Sequence, residues 1–116
     1  MLDKIITLYH FENGAYKKQV IQNTFYYDVD ITTVSKMGSQ TNITFIAIIN
    51  TDTDIAINTG KDIVVKDESD FEFDNTSEQT IAQSLKELKA LMPIYTVKGV
   101  DKNLFGGLSN IKLSCI

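Results

Sequence analysis

The sequence predicts a mainly β fold: a small antiparallel β-barrel or sandwich of about seven strands with one α-helix near the C-terminal end. Three observations carry that reading. β-Branched and aromatic residues gather in short runs separated by turn residues. The strongest of the turn signals, Asn13-Gly14, lies between two such runs. One stretch, Ile81 to Met92, repeats its apolar residues at helical intervals, and Pro93 ends it. At 116 residues the chain is expected to form one domain, 1–116.

Lys4-Ile5-Ile6-Thr7-Leu8-Tyr9-His10-Phe11 reads as the first strand. Glu12–Ala15 is its turn, because Asn and Gly both tolerate positive φ, and Tyr16–Ile21 returns as the second strand. The clearest period-two alternation follows. Phe25, Tyr27, Val29 and Ile31 fall on one face and Thr24, Tyr26, Asp28, Asp30 and Thr32 on the other, so the first set is expected to be buried. Ser35-Lys36-Met37-Gly38-Ser39-Gln40-Thr41 interrupts this as a polar loop. Asn42–Asn50 resumes as a strand, apolar enough on both faces to be central or turned towards a neighbour.

Thr51–Asp54 is turn-like, Ile55 and Ile57 make a short apolar alternation, and Thr59–Asp62 is another turn. Ile63–Lys66 is a short strand. Asp67, Glu68, Asp70, Glu72, Asp74 and Glu78 then form an acidic surface connector with only Phe71 and Phe73 as apolar anchors. Thr76 is expected to cap the helix, with Gln79 three residues on. Ile81, Leu85, Leu88 and Met92 make its apolar face. Ile94–Val100 is a strand, Asp101–Asn103 a turn, and Leu108–Ile116 the last strand.

Composition narrows the function. The chain carries 15 acidic and 11 basic residues, a formal charge of -4, and every basic residue is Lys. Without Arg there is no bidentate fork for phosphate or guanine, which disfavours a dedicated nucleic-acid binder. The absence of Arg, beside abundant Ile, Asn and Lys, also points to an AT-rich coding genome. One cysteine, Cys115, makes neither an internal disulfide nor a thiolate zinc site, and one histidine, His10, gives no metal-ligand pair. No secretory signal is read at Met1-Leu2-Asp3-Lys4, and the longest apolar run, Phe45–Ile49, is far short of the ~20 residues that span a bilayer. An intracellular protein with no membrane association is expected.

Candidate chemistry is sparse. His10 has no local pattern supplying a partner or pocket for acid–base work, and Cys115 resembles no nucleophile motif. Asp28 and Asp30 share a strand face but read as solvated. Asp52, Asp54, Asn58 and Gly60 resemble a calcium loop, yet Ala56 stands where a ligand belongs and no closing Glu is in place. Gly106-Gly107 lacks the strand and helix of a phosphate loop, and Lys17-Lys18 is too small a basic spot for an oligonucleotide groove. No cofactor, metal or catalytic residue is expected, and the residues describe a binding or structural domain.

Three stretches together resemble the small minor capsid proteins of phages infecting Gram-positive bacteria. They are Ile6–Tyr9 with Tyr16–Phe25, the run Thr59-Gly60-Lys61-Asp62-Ile63-Val64-Val65-Lys66, and the closing Tyr95–Leu108. Asn50 stands where that family often has Pro, and Lys112 or its neighbours where it has His. The resemblance implies a head-completion or stopper protein at the head–tail junction of the virion, made in the host cytoplasm. It would be a homo-oligomeric ring of barrels below the portal and adaptor, above the tail terminator or tail tube. Packaged double-stranded DNA would pass through without sequence-specific binding, which an acidic lumen suits. Ser35, Lys36, Met37, Gly38, Ser39, Gln40 and Thr41 are the candidate channel loop, with the acidic 67–75 connector second. Phe45, Ile46, Ile48 and Ile49 are the candidate subunit-interface strand. A tail-terminator ring and a small oligonucleotide-binding β-barrel are the alternative readings.

Overall fold

A strand that alternates inward and outward residues can close on itself only if every edge finds a partner, and here six strands do so. The computed structural model describes residues 4–29, 43–51, 53–104 and 109–116. Its strands are β1 (Lys4–Glu12), β2 (Ala15–Asp28), β3 (Phe45–Ile49), β4 (Ile63–Lys66), β5 (Tyr95–Asn103) and β6 (Asn110–Cys115), and the helix is α1 (Glu78–Leu91). They form a closed barrel in the order β1-β2-β3-β6-β5-β4. Every pairing is antiparallel. The mainly β barrel with one helix near the C-terminal end is therefore the fold.

The strand count is six because the expected second and third strands are one. β1 and β2 turn at Asn13-Gly14, with φ of 55° and 77°, in a two-residue hairpin that pairs Glu12 with Ala15. Further along, Lys4 pairs with Thr24 but Ile6 with Ile21, so Ile5 faces both Gln22 and Asn23. This is a β-bulge, and Asn23 adopts φ 56°, a left-handed conformation that Asn tolerates. One extra residue exchanges the two faces of the strand beyond it. Ile21 and Thr24 consequently both point inward, Tyr26 packs against the core, and Tyr27 is 42% exposed. The expected burial of the Phe25/Tyr27 face is thus corrected: those rings lie on the outside of the barrel.

Inward residues fill the barrel, led by Ile6, Leu8, Phe45, Val64, Ile111 and Leu113, all fully enclosed. Ile55 and Ile57 pack against this core from a segment that forms no strand. A second apolar cluster lies outside the wall formed by β1 and β4. There Tyr9, Ile63 and Val65 are covered by Leu88, Leu85 and Met92 of the helix region and by Phe71 and Phe73.

The acidic connector is bolted down rather than draped over the surface. The Thr7 hydroxyl donates to Asp67 O at 2.8 Å and accepts from Ser69 N–H at 2.9 Å. The Tyr9 hydroxyl donates to Phe71 O at 2.9 Å and meets Ser69 Oγ at 2.8 Å. Burial pushes the Tyr9 phenol pKa up, which keeps the ring neutral and able to donate. Asn75 pairs twice with the Tyr16 backbone at 2.9 Å, in the manner of a strand neighbour.

The helix cap is one residue later than the sequence suggests. Thr76 is taken by Asp74, whose carboxylate accepts from the Thr76 hydroxyl at 2.6 Å and from its N–H at 3.1 Å. Those bonds hold the Asp74 carboxyl below the usual carboxylate range. Ser77 is the N-cap: its Oγ accepts from Thr80 N–H at 3.2 Å, and Thr80 Oγ1 accepts from Ser77 N–H at 2.8 Å. Ser77→Ala is expected to lower stability by about 1 kcal/mol in urea titration, because a helix donor loses its partner. A change below a few tenths would mean that the connector, not the cap, holds this end of the helix.

Candidate functional site

A polar cluster around one buried carboxylate joins the β1–β2 hairpin to the turn before β4. Asp62 is fully buried, and its carboxylate accepts from Phe11 N–H at 2.8 Å and Asn58 N–H at 2.9 Å. His10 Nδ1 lies 2.7 Å from Asp62 Oδ2, and Nε2 lies 3.1 Å from Glu12 Oε1. The Asn58 side chain donates to Phe11 O at 3.1 Å and completes the splice. His10 therefore has partners that the sequence did not reveal: Asp62 is distant in the chain, and Glu12 becomes a neighbour only because both residues lie on one strand face. The cluster engages both ring nitrogens and fixes the hairpin to the barrel.

A second cluster closes one mouth of the barrel. Lys66 follows Val64 on the inward side of β4, and its ammonium lies over the rings of Tyr26, Phe45 and Tyr95 at 5.6–5.8 Å. Phe45 and Tyr95 stack with centroids 4.1 Å apart. Burial works against the Lys66 charge, but the Asp28 carboxylate, 3.3 Å away, and the Tyr95 phenol outweigh it and leave its pKa raised. Asp28 is thus the counter-ion of a half-buried lysine. Asp30, its expected companion, lies outside the described residues.

The other singled-out residues are used structurally. Asp54 pairs with Lys102 at 2.6 Å, and Lys18 with Glu72 at 2.7 Å. Asp52 and Gly106-Gly107 lie outside the described residues. Cys115 is fully enclosed in the core, and burial pushes its thiol pKa up to about 12. The native protein is expected to resist thiol reagents at pH 8 and to label fully in denaturant. Rapid native labelling would contradict the closed barrel around β6.

The candidate interface strand divides between core and surface. Phe45 and Ile49 point into the core with Ala47, while Ile46 and Ile48 point outward. β3 has no free edge, since β2 and β6 pair with it on either side. What it offers a neighbour is therefore a face. Ile48 lies beside Phe25, and Ile46 beside Tyr27, across the β2–β3 register. Phe25 and Tyr27 meet with ring centroids 5.7 Å apart. Ile46 is covered, but Phe25 and Ile48 are half-exposed and Tyr27 is open. The candidate channel loop Ser35–Thr41 lies outside the described residues. The strands flanking it end at the mouth closed by Lys66 and Asp28.

Barrel, bolted connector and packed helix define the class: a small closed antiparallel β-barrel with a one-helix cover on its outer wall. The chain belongs to the family of unknown function DUF6751, whose model matches residues 1–116. No curated protein and no solved structure matches the chain significantly.

Proposed function

We propose that the protein is a structural subunit of the phage head–tail interface, a ring-forming connector or stopper that retains packaged DNA and docks the tail. The observation that carries this reading is the outer face of β2 and β3, where Phe25, Tyr27 and Ile48 form an apolar patch on a barrel with no free edge there. Apolar surface so grouped marks an interaction site, and a closed barrel can associate only through faces and loops. The resemblance of three stretches to phage minor capsid proteins supplies the setting, and a second copy of the chain is the partner a ring requires.

A tail-terminator ring shares these features and differs only in its place in the stack. The oligonucleotide-binding alternative draws less support, because the lysine that lies over three aromatic rings, Lys66, closes a barrel mouth instead of lining an open groove. Phe45 is fully buried, and Lys66 is committed to Asp28.

Electron microscopy of particles from a phage carrying this gene tests the reading. Density for the chain as a ring between portal and tail is the expected result. Its absence from the particle, together with a monomer that binds single-stranded DNA and releases it steeply with salt, would replace this reading with the alternative.

A further inference from the structure

We infer that neighbouring copies associate head to tail, with the apolar β2–β3 face of one chain seated on the acidic connector of the next. This rests on the ring reading above and names the two surfaces that would meet. The strand order sets β3 across the barrel from β4 and leaves β2 beside β1, so the patch on β2 and β3 and the wall formed by β1 and β4 are separate faces. The connector and helix cover that wall, through Tyr9, Ile63 and Val65 beneath them. The molecule therefore carries two unlike faces, the arrangement a heterologous contact needs.

Their chemistry is complementary. Lys112 on β6 lies beside Ile48 in the register, and Lys98 stands at a bulge on the next strand, β5; both are exposed and make no ion pair among the described residues. Asp101 lies opposite Lys112 in the register. On the connector, residues 67–78 hold six acids and no base, and of these Lys18 engages Glu72. Glu68 and Asp70 are exposed and make no hydrogen bond or ion pair among the described residues. Desolvated apolar area would supply the affinity, and the exposed charges the orientation, since single surface ion pairs contribute little. Because the connector is bolted to β1, its acids are presented at fixed positions.

Charge exchange between the faces tests the pairing. One variant carries Lys98→Glu and Lys112→Glu, the other Glu68→Lys and Asp70→Lys, all at exposed positions where urea titration should show a native fold. Self-association is read by sedimentation at low salt up to millimolar concentration. Each variant alone should associate at least about tenfold more weakly than wild type, and an equimolar mixture should recover. Retained self-association of the Glu68→Lys/Asp70→Lys variant overturns the pairing, because contact between two copies of the apolar face would not involve the connector. A wild-type chain that stays monomeric throughout overturns it as well. Ring density in virions separates the two failures: if it is present, only this choice of faces falls; if absent, the ring reading falls with it.

Discussion

Replacing Asp62 with alanine is expected to destabilise the barrel by about 3–5 kcal/mol, among the largest effects of any single polar substitution in this chain. The carboxylate is fully buried and serves three donors from two distant segments: Phe11 N–H, Asn58 N–H and His10 Nδ1. Truncation leaves two backbone donors and a ring nitrogen facing a void, and each buried donor without a partner costs roughly 1–3 kcal/mol. Asp62→Asn keeps one acceptor oxygen but turns an amino group towards a donor, so it should recover only part of the loss. His10→Ala removes one donor and leaves the carboxylate with two backbone partners, for an expected cost of about 1–2 kcal/mol. Urea titration of the three variants gives the order directly. A loss below about 1 kcal/mol for Asp62→Ala would mean that water replaces the carboxylate and that the hairpin is not fastened there.

The fold was legible wherever local chemistry and tertiary pairing agree. Asn13-Gly14 makes the hairpin turn because only residues tolerant of positive φ fit both positions. The strand at Ile63–Lys66 and the helix face of Leu85 and Leu88 follow their periods. The reading went astray at Asn23, where one bulged residue exchanges the two faces of β2. Aromatic residues on both faces of that strand hid the exchange, since Phe25, Tyr26 and Tyr27 offer no polar partner to fix the phase. The helix start moved from Thr76 to Ser77 for a similar reason: Asp74 competes for the threonine hydroxyl, and a Thr at the third helical position replaced the expected Gln.

The polar clusters were legible only in part. His10 and Asp28 were noticed as residue types, but their partners Asp62 and Lys66 lie 52 and 38 positions away. No spacing rule reaches across the barrel to join them. Asp62 itself looked like ordinary turn chemistry beside Gly60 and Lys61. One local clue was present: Glu12 is two residues from His10 on a strand, and period two places both on one face. The acidic connector was recognised by composition, whereas its fastening depends on Thr7 and Tyr9, residues that read simply as strand formers.

Two substitutions three residues apart in β3 should have opposite consequences, and they separate folding from assembly. Phe45 is fully buried, stacks on Tyr95 and lies 5.6 Å from Tyr26. Phe45→Ala should cost about 3–5 kcal/mol, because transfer energy is lost and the closed wall cannot collapse around the cavity. Ile48 points out of the same strand beside Phe25. Ile48→Asp should cost only about 1 kcal/mol of stability, within the span of strand propensities, since the side chain is half-exposed. It should nevertheless abolish self-association, because it removes the centre of the apolar patch and sets a carboxylate against the acidic connector of the neighbour. Urea titration reads the first effect and sedimentation at low salt the second. A folded, monomeric Ile48→Asp chain beside a destabilised Phe45→Ala chain would assign the interface role to the outer half of this strand alone. Undiminished assembly of Ile48→Asp would remove the β2–β3 face from the ring, and with it the main structural support for the connector reading.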